Sequence, residues 1–521
     1  MRLKLGVSVI AACLLVAGNA LVPGPGLEVR TAAPALAQGR VATEQEAREA
    51  CGTACHRYPP PDILPREAWR DTVARMALIA RGEREPAGPP GTAGRSVKPP
   101  PEMERLLRFY ERRAPAELPA PRRWPPADER GFERHMFIPA EPPLDPAYSH
   151  VRFVDRTGDG RPEIVASDMR SGDILAGDPG DESGELAFIG RVPHPAKFEI
   201  VDLDRDGVLD ILVADLGHFL PGDHTDGSIV WMRGERNGTY THYSLSGWPR
   251  VADVRAADFN GNGKLDLAVA AFGWRTVGHV TILENRTTAY PKLEFHPHVL
   301  DDRAGAVHAI PVDLNEDGHL DLVVLIAQQH ETVVAYINDG TGDFSFTPHE
   351  IYTAPHPNWG SSGIQVVDLD GDGELDVLLT HGDTFDDAIV KPYHGITWLE
   401  NRGTYPFTPH LLAELPGAFR AESADMDNDG DLDVVASAFM ANDVDGSAAE
   451  LAALVLLEQV APGRFERRTL ERGVPRYPTL HLADMDGDGD VDIVVGAFLT
   501  SPQAGPWVQV WENLRRHPQT E

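Results

Sequence analysis

The sequence has little cysteine, and the few cysteines present cannot hold the chain together. Only Cys13, Cys51 and Cys55 occur in 521 residues, which excludes a disulfide framework. Basic side chains are also scarce: 47 Lys and Arg stand against 80 Asp and Glu, a formal net charge of −33. That charge disfavours duplex nucleic acid as a partner, so no nucleic acid is expected. The sequence contains neither a Gly-x-Ser-x-Gly nor a His-Glu-x-x-His motif, and no hydrolase motif is recognised.

Glycine and proline are abundant, at 49 and 44 residues. This proportion is rich in turns but falls short of low complexity. It predicts many short strands rather than long helices. With 42% hydrophobic residues the chain can build a large core, and its length fits about two to four domains.

The N-terminal segment has the features of an export signal. A charged start is followed by an apolar run from Leu5 to about Val22. Residues 1–37 are predicted to contain a signal peptide that is cleaved after Ala20 or after Ala37. The alternative is an uncleaved N-terminal anchor, because a run of about 18 residues is near the lower limit for crossing a bilayer. We expect an exported protein, periplasmic or secreted, that contacts a membrane only if this segment is uncleaved.

One nine-residue motif organises most of the chain. It has the form D-x-[DNT]-x-[DN]-G-x-x-[DE], is followed by an apolar strand, and occurs seven times. The first aspartates are 47, 56, 55, 55, 57 and 59 residues apart. Four predicted strands surround each copy, which is the size of one propeller blade. The fold class is therefore predicted as mainly β, a seven-bladed β-propeller.

The ring of blades needs a closing strand, because the chain after Asp492 has room for only two more strands. A fourth-strand signature, Phe-x-x-His, recurs in three repeats and also precedes the first loop, at Phe132 and His135. We therefore expect residues 132–138 to complete the last blade. The propeller is predicted over residues 132–513, with a polar tail at 514–521.

These residues resemble the FG-GAP/VCBS repeat family, whose best-known members are the propellers of integrin alpha subunits. The resemblance covers about residues 139–513. Phe272-Gly273 is present once and Gly-Ala-Pro is absent, so the match is closer to the bacterial VCBS branch.

The loops carry oxygen ligands at positions 1, 3, 5 and 9, and glycine at position 6 permits a sharp turn. This pattern suits calcium, which would also take the backbone carbonyl at position 7. Up to seven calcium ions are expected, in sites that look structural, and the first loop is the most degenerate. The predicted ligands are Asp155, Thr157, Asp159 and Glu163; Asp202, Asp204, Asp206 and Asp210; Asp258, Asn260, Asn262 and Asp266; Asp313, Asn315, Asp317 and Asp321; Asp368, Asp370, Asp372 and Asp376; Asp425, Asp427, Asp429 and Asp433; Asp484, Asp486, Asp488 and Asp492.

A cysteine motif stands ahead of the repeats. Cys51, Cys55 and His56 form C-x-x-x-C-H, one residue longer than the usual haem c attachment motif, C-x-x-C-H. Residues 43–113 are predicted to form three helices and resemble a small cytochrome c-like domain, with Met76 as the candidate second axial ligand. A disulfide, a zinc site and unlinked thiols are the alternatives. Residues 114–131 read as a Pro-rich linker.

Two further sets of polar residues stand on the predicted propeller. The strand entering each loop should line a central channel with mixed charge, including Arg152, Lys197 and Glu422. On the opposite face, His356, His381, Asp383 and His394 lie in a dense stretch of polar loops. Such loops are where propellers usually place ligands, so these four residues are a candidate ligand face.

Two functions follow from these observations. The first is an exported, calcium-binding propeller with a c-type haem that acts in electron transfer or docks a redox partner. The alternative is a non-enzymatic module that binds protein or polysaccharide, with the two cysteines as a disulfide. Enzymatic activity is left open.

Overall fold

The computed structural model describes residues 40–52, 56–81, 83, 98–385, 387–440, 450–500 and 507–514. The chain divides into two compact units, Met1–Arg40 and Val41–Glu521, and the description below concerns the second. The predicted export segment, residues 1–37, lies outside the described residues. Among the helices that are described, none is long and apolar enough to cross a membrane.

The second unit is mainly β, with short strands that follow one another along the chain. In the described part of the chain the strands are β1 (Phe132–Pro139), β2 (Tyr148–Val154), β3 (Glu163–Asp168), β4 (Asp173–Gly177), β5 (Glu185–Arg191), β6 (Pro195–Val201), β7 (Asp210–Asp215), β8 (Gly227–Gly234), β9 (Tyr240–Trp248), β10 (Val251–Ala257), β11 (Asp266–Ala271), β12 (His279–Asn285), β13 (Phe295–Asp301), β14 (Ala306–Val312), β15 (Asp321–Ile326), β16 (Thr332–Asn338), β17 (Phe346–Thr353), β18 (Ser361–Val367), β19 (Asp376–His381), β20 (Gly395–Glu400), β21 (Thr408–Glu414), β22 (Ala418–Ala424), β23 (Asp433–Ala438), β24 (Ala452–Ala461), β25 (Arg464–Arg472), β26 (Thr479–Ala483), β27 (Asp492–Gly496) and β28 (Val508–Asn513).

The strands form repeated four-stranded antiparallel sheets. Five sheets contain four consecutive strands each: β6–β9, β10–β13, β14–β17, β18–β21 and β22–β25. The second strand of each sheet is an apolar run that is buried throughout, as in β15, because its side chains are covered on both faces. The fourth strand is more exposed, as in β13. The apolar cores therefore lie between neighbouring sheets, where side chains of two sheets pack together.

The remaining strands form one larger sheet that joins the two ends of the β-region. Its order is β2-β3-β4-β5-β1-β28-β27-β26. Strand β1 runs antiparallel to β28 from Phe132, opposite Asn513, to Phe137, opposite Val508. It also touches β5 through a short parallel pairing at Ile138 and Pro139. The first strand of the β-region, β1, thus lies beside β28, the last strand of the described chain.

The first strands of successive sheets contact one another in a cycle. Each of β2, β6, β10, β14, β18 and β22 contacts the next of these strands, and β26 contacts β2. At six of these junctions a backbone N–H donates a hydrogen bond to a side chain of the preceding first strand. The accepting side chains are His150, Glu199, Asp253, Gln365, Glu422 and His481, at 2.7–3.4 Å. These polar side chains therefore satisfy strand edges that would otherwise be left without partners.

Three helices precede the strands: α1 (Glu44–Cys51), α2 (Ala68–Ala80) and α3 (Glu104–Arg113). Helix α1 begins with a capping box, in which Thr43 Oγ1 accepts from the Glu46 backbone and the Glu46 carboxylate accepts from the Thr43 backbone. Trp69 of α2 stacks on Tyr110 of α3 with ring centroids 3.8 Å apart. This stack fills the centre of the helical core.

The helices pack directly against the sheets. Ile389 and Tyr393 join the helical core, and the Tyr393 hydroxyl donates to the Ile63 carbonyl at 3.2 Å. In the connecting segment, Trp124 inserts among residues of the β18–β21 and β22–β25 sheets, and its Nε1 donates to the Glu414 carbonyl at 2.9 Å. The connection between helices and sheets is therefore anchored by an aromatic side chain.

Two neighbouring residues of β1 provide a test of the β1–β28 pairing. Phe137 is 1% exposed and lies in an apolar cluster with Val508 and Val510 of β28, whereas Met136 is 39% exposed. We expect Phe137→Ala to lower the free energy of unfolding by about 3–5 kcal/mol. The matched variant Met136→Ala should change it by about 0.5 kcal/mol or less. Denaturant unfolding measures both, and equal effects would contradict the packing described here.

Candidate functional site

The seven acidic loops share one backbone conformation. Positions 4 and 6 have positive φ in every copy, from 57° at Glu316 to 100° at Gly430. Glycine occupies position 6 in all seven loops, because other residues rarely adopt this conformation without strain. The two left-handed residues wrap the loop around its own side chains.

The first aspartate of each loop fastens this turn. In every copy one carboxylate oxygen accepts from the backbone N–H of the position-6 glycine at 2.8–3.1 Å. In six copies the other oxygen accepts from the position-5 N–H, as Asp202 does from Asp206 at 3.0 Å. The position-1 side chain therefore shapes the loop from within.

The aspartate at position 9 joins each loop to the third strand of its sheet. One oxygen accepts from the backbone N–H at position 2 at 2.9–3.2 Å. The other accepts from a backbone N–H at the end of the third strand at 2.7–2.8 Å. The six aspartates are Asp210, Asp266, Asp321, Asp376, Asp433 and Asp492, and all are buried.

Burial raises the pKa of these position-9 carboxyls. The pKa rises to about 7 for Asp433 and Asp492. It rises to about 6 for Asp210, Asp266 and Asp376. Hydrogen bonds from the backbone oppose the shift but do not cancel it. A negative charge at position 9 therefore costs free energy unless a cation stands nearby.

The first two loops already contain a cation of the protein itself. Arg156 pairs with Glu163 through both of its carboxylate oxygens, at 2.8 and 2.9 Å. In the second loop Arg233 donates to Asp204 at 2.6 Å and also to Asp206. Both guanidinium groups neutralise carboxylates that the sequence pattern assigned to a metal.

Other loops bring their acidic side chains close together around the turn. Within the described residues, the carboxylates of Asp368, Asp370 and Asp376 lie within 4.8 Å of one another, as do those of Asp425, Asp427 and Asp433, and those of Asp484, Asp486 and Asp488. The third and fourth loops replace carboxylates by Asn260, Asn262 and Asn315. These clusters have the oxygen chemistry that a hard cation needs.

Two partners of the repeat were not identified from the sequence. An amide side chain ends most third strands and donates to the backbone at loop position 8, as Asn401 does to Leu375 at 3.1 Å. The residue before it is often a glutamate that pairs with the histidine of Phe-x-x-His, as Glu400 does with His410 at 2.7 Å. The pair Glu-Asn, recurring at 284–285, 400–401 and 512–513, is the signal that would have revealed both.

The cysteine motif lies at the end of α1. Cys51 is 9% exposed and packs with Trp69, Leu106 and Tyr110, and burial raises the pKa of its thiol. Cys55 lies outside the described residues. His56 and Met76 are half-buried, and His56 Nδ1 lies 2.8 Å from the Arg57 carbonyl. Because the Cys51 thiol is buried in this cluster, a porphyrin could bind there only if described side chains moved.

The predicted ligand-face histidines are buried together. His356, His381 and His394 are 6%, 0% and 0% exposed. His381 stacks on Trp359 at 4.6 Å, and His356 lies against Tyr393 at 4.9 Å.

The ring nitrogens of this cluster are poorly satisfied. Neither ring nitrogen of His394 has a hydrogen-bond partner among the described residues. Asp383 lies in the neighbouring loop, where its carboxylate accepts from the Phe385 backbone at 2.8 Å. The three histidines form one buried cluster, and Tyr393, which contacts His356 and His394, connects this cluster to the helical core.

The side chains predicted to line a central channel form ion pairs with one another. Lys197 Nζ lies 3.7 Å from the Asp253 carboxylate and 2.8 Å from His308 Nδ1, and burial lowers the pKa of Lys197 to about 7. Arg420 pairs with Glu422 at 2.7 Å. The charges predicted for this region thus neutralise each other locally.

Comparisons with known proteins identify part of the repeat. Residues 202–269 and 295–379 match a family model described as an FG-GAP-like repeat. These segments contain the second and third loops and the fourth and fifth loops, so the sheets that carry them are similar to FG-GAP-like repeats. A search of curated proteins finds no match.

One similar solved structure is an Agrocybe aegerita lectin, described as showing the structural basis of specific recognition of non-reducing terminal N-acetylglucosamine. It is 16% identical, and the match covers 71% of this chain and 91% of the lectin at a TM-score of 0.39.

The buried histidines predict a specific dependence of stability on pH. Burial lowers the pKa of His356 to about 4 and that of His394 well below its usual value. Below about pH 6.5 the unfolded chain therefore binds protons that the folded chain does not. The stability that the neutral, buried histidines contribute at pH 7 is thus lost as the pH falls from about 7 to 4. We expect His394→Phe to reduce the drop in melting temperature between pH 7.5 and pH 5.

The control for this measurement is His296→Phe, at an exposed position on β13. Comparing each variant with the wild type at the same two pH values cancels the other titrating groups. A wild-type pH response in His394→Phe would contradict the prediction.

Proposed function

We propose that the chain is an exported, calcium-loaded, seven-bladed β-propeller that acts as a non-enzymatic binding module for a protein or a polysaccharide. The observation that carries this proposal is the acidic loop, which recurs with the same backbone on each four-stranded sheet. FG-GAP-like repeats in residues 202–269 and 295–379 are compatible with such a module.

The seven-bladed ring is supported by how the sheets meet. First strands contact one another in a cycle that returns from β26 to β2. The larger sheet separates into β2–β5 and a second group of β26–β28 with β1. Counted with the five other sheets, these two groups make seven blades, the last of which is completed by β1. Such closure leaves only short strand edges exposed.

Calcium is supported by the chemistry of the loops. Positions 1, 3, 5 and 9 present carboxylate or amide oxygens around one turn, and burial makes an unneutralised position-9 charge costly. A bound dication would offset that cost and would stabilise the loop and its sheet together. Because Arg156 and Arg233 already pair with the first two loops, we expect the strongest binding in the other five.

Calcium should also set the function of the module. Each loop joins the first two strands of a blade, so an ion held there fixes the strands that carry the connections on the opposite face. A ligand bound by those connections would then depend on calcium although no ion touches it.

Removal of calcium provides the first test of this proposal. A chelator should lower the melting temperature by several degrees, since metal that binds only the folded state stabilises it. Metal analysis after dialysis against calcium should give about five ions per chain. Asp370→Ala, which removes the oxygen ligand at position 3, should remove one ion, whereas the control Asp181→Ala, at an exposed turn outside the acidic loops, should remove none. An unchanged melting temperature in chelator would overturn the metal assignment.

Binding is tested on panels of immobilised proteins and polysaccharides, with calcium and with chelator. The proposal expects a ligand whose binding is lost in chelator and restored by calcium. Binding that persists at a temperature where the chelated protein is still folded would show that calcium supports only the fold.

Covalent haem and electron transfer remain a prediction from the Cys51, Cys55 and His56 motif. The packing around Cys51 favours the alternative, because a porphyrin could join its thiol only if Tyr110 moved away. Production with a haem-ligation system, followed by reduction and acid–acetone extraction, tests it. We expect no c-type alpha band to survive extraction, and a band that does survive would restore the electron-transfer function.

A further inference from the structure

A second group of metal-ligating side chains lies away from the acidic loops. His218, His224 and Asp226 stand on the connection between β7 and β8, at the end of the sheet opposite its acidic loop. One ligand atom from each residue lies within 4.8 Å of the other two. His218 Nε2 is 2.9 Å from the Asp226 carboxylate, and His224 Nδ1 is 3.7 Å from it.

These distances suit a small divalent metal. A zinc ion binds imidazole nitrogen and carboxylate oxygen at about 2.0–2.2 Å, so tetrahedral ligand atoms stand about 3.4 Å apart. The observed separations of 2.9 and 3.7 Å lie on either side of this value. Small rotations of the exposed His218 and Asp226 side chains would bring the ligand atoms closer to this geometry.

The base of the connection is held in place by the surrounding backbone. Asp215 accepts from the backbone of Gly217 at 3.0 Å and from the Ser228 hydroxyl at 2.8 Å. Gly217 has φ 75°, and a Cβ there would lie 2.4 Å from the Asp226 backbone. Only glycine allows this close approach, which fixes Asp226 at the end of the connection.

The tip of the connection is held by the next repeat. The Asp223 carboxylate accepts from the backbones of Arg275 and Thr276 at 2.9 and 3.1 Å. The three candidate ligands therefore lie on a connection that is anchored at its base and at its tip, and they need little ordering to bind an ion.

The two ring nitrogens of His224 differ in their hydrogen bonding. Its Nε2 is buried and has no hydrogen-bond partner among the described residues. Its Nδ1, the nitrogen that lies 3.7 Å from the Asp226 carboxylate, accepts a hydrogen bond from the Asp226 backbone at 3.2 Å. An ion bound at this nitrogen would take the place of that hydrogen bond.

We propose that His218, His224 and Asp226 bind a divalent transition metal of the zinc class, with the fourth coordination position open to solvent. Two imidazoles and one carboxylate favour zinc or cobalt over calcium, which takes six or more oxygen ligands. His218 and Asp226 are more than half exposed, so the open position faces outward and can take water or a donor group from a binding partner.

Cobalt titration of the purified protein in excess calcium tests this site. Calcium keeps the acidic loops occupied, and the visible absorption of bound Co²⁺ reports nitrogen ligation. We expect the wild type to bind one Co²⁺ at this site, displaced by Zn²⁺. His218→Ala and Asp226→Asn should each bind it at least about 100-fold more weakly, because loss of an outer-shell partner alone costs about 10–100-fold.

The control is His296→Ala, which removes an exposed histidine from another sheet and should keep the wild-type titration. Melting temperatures in calcium show whether each variant is folded, and substitutions at these exposed positions should leave them unchanged. If folded His218→Ala and Asp226→Asn titrate like the wild type, the three residues form only an ion pair and the metal site is refuted. This outcome would leave the calcium loops and the binding function untouched.

Discussion

Six of the seven repeats depend on a buried carboxylate whose two oxygens each accept a hydrogen bond from a backbone N–H. The aspartate at loop position 9 connects the loop to the end of the third strand, so one side chain fixes the relative positions of three strands. Hydrogen bonds to a charged acceptor contribute about 1.5–3 kcal/mol each, which offsets part of the free-energy cost of removing the carboxylate from water. The interaction recurs in six of the seven loops. In the first loop Glu163 stands at this position and pairs with Arg156 instead.

This arrangement ties the acidity of the chain to its fold. The net charge of −33 disfavours duplex nucleic acid as a partner. Many of the carboxylates that give the chain this charge are hydrogen-bonded within the loops. The two loops with a nearby arginine carry part of their own neutralisation. We propose that calcium neutralises the carboxylates of the other loops.

The sequence was most informative where the physical cause is local. The period of the motif, the glycine at position 6 and the apolar run after each loop all act within a few residues, and they predicted repeated four-stranded sheets. Side-chain contacts that depend on the register of two paired strands left no signal in the sequence. Arg233 reaches Asp204 only because β7 and β8 pair in one register, and a motif scan cannot detect that contact.

The histidines near residue 381 illustrate the same limit. Their positions on connections predicted a ligand face, and in the structure Trp359 and Tyr393 pack against them, with the Tyr393 hydroxyl donating to the Ile63 carbonyl. Their burial therefore depends on contacts between segments more than 300 residues apart. The inner hydrogen bonds, such as that from the Leu482 backbone to Glu422, arise from the meeting of two sheets and have no local signal either.

The pairing of β1 with β28 has a consequence for how the protein forms during synthesis. Strand β1 leaves the ribosome before all the other strands, but the strand with which it pairs along most of its length, β28, is the last strand of the described chain. The cycle of sheets cannot be completed until that strand has been made, and contacts of such sequence separation form slowly. In the interval, β1 has a short parallel partner in β5. This pairing covers only the end of β1, at Ile138 and Pro139, so we expect the rest of its edge to stay open to other chains until β28 has been made.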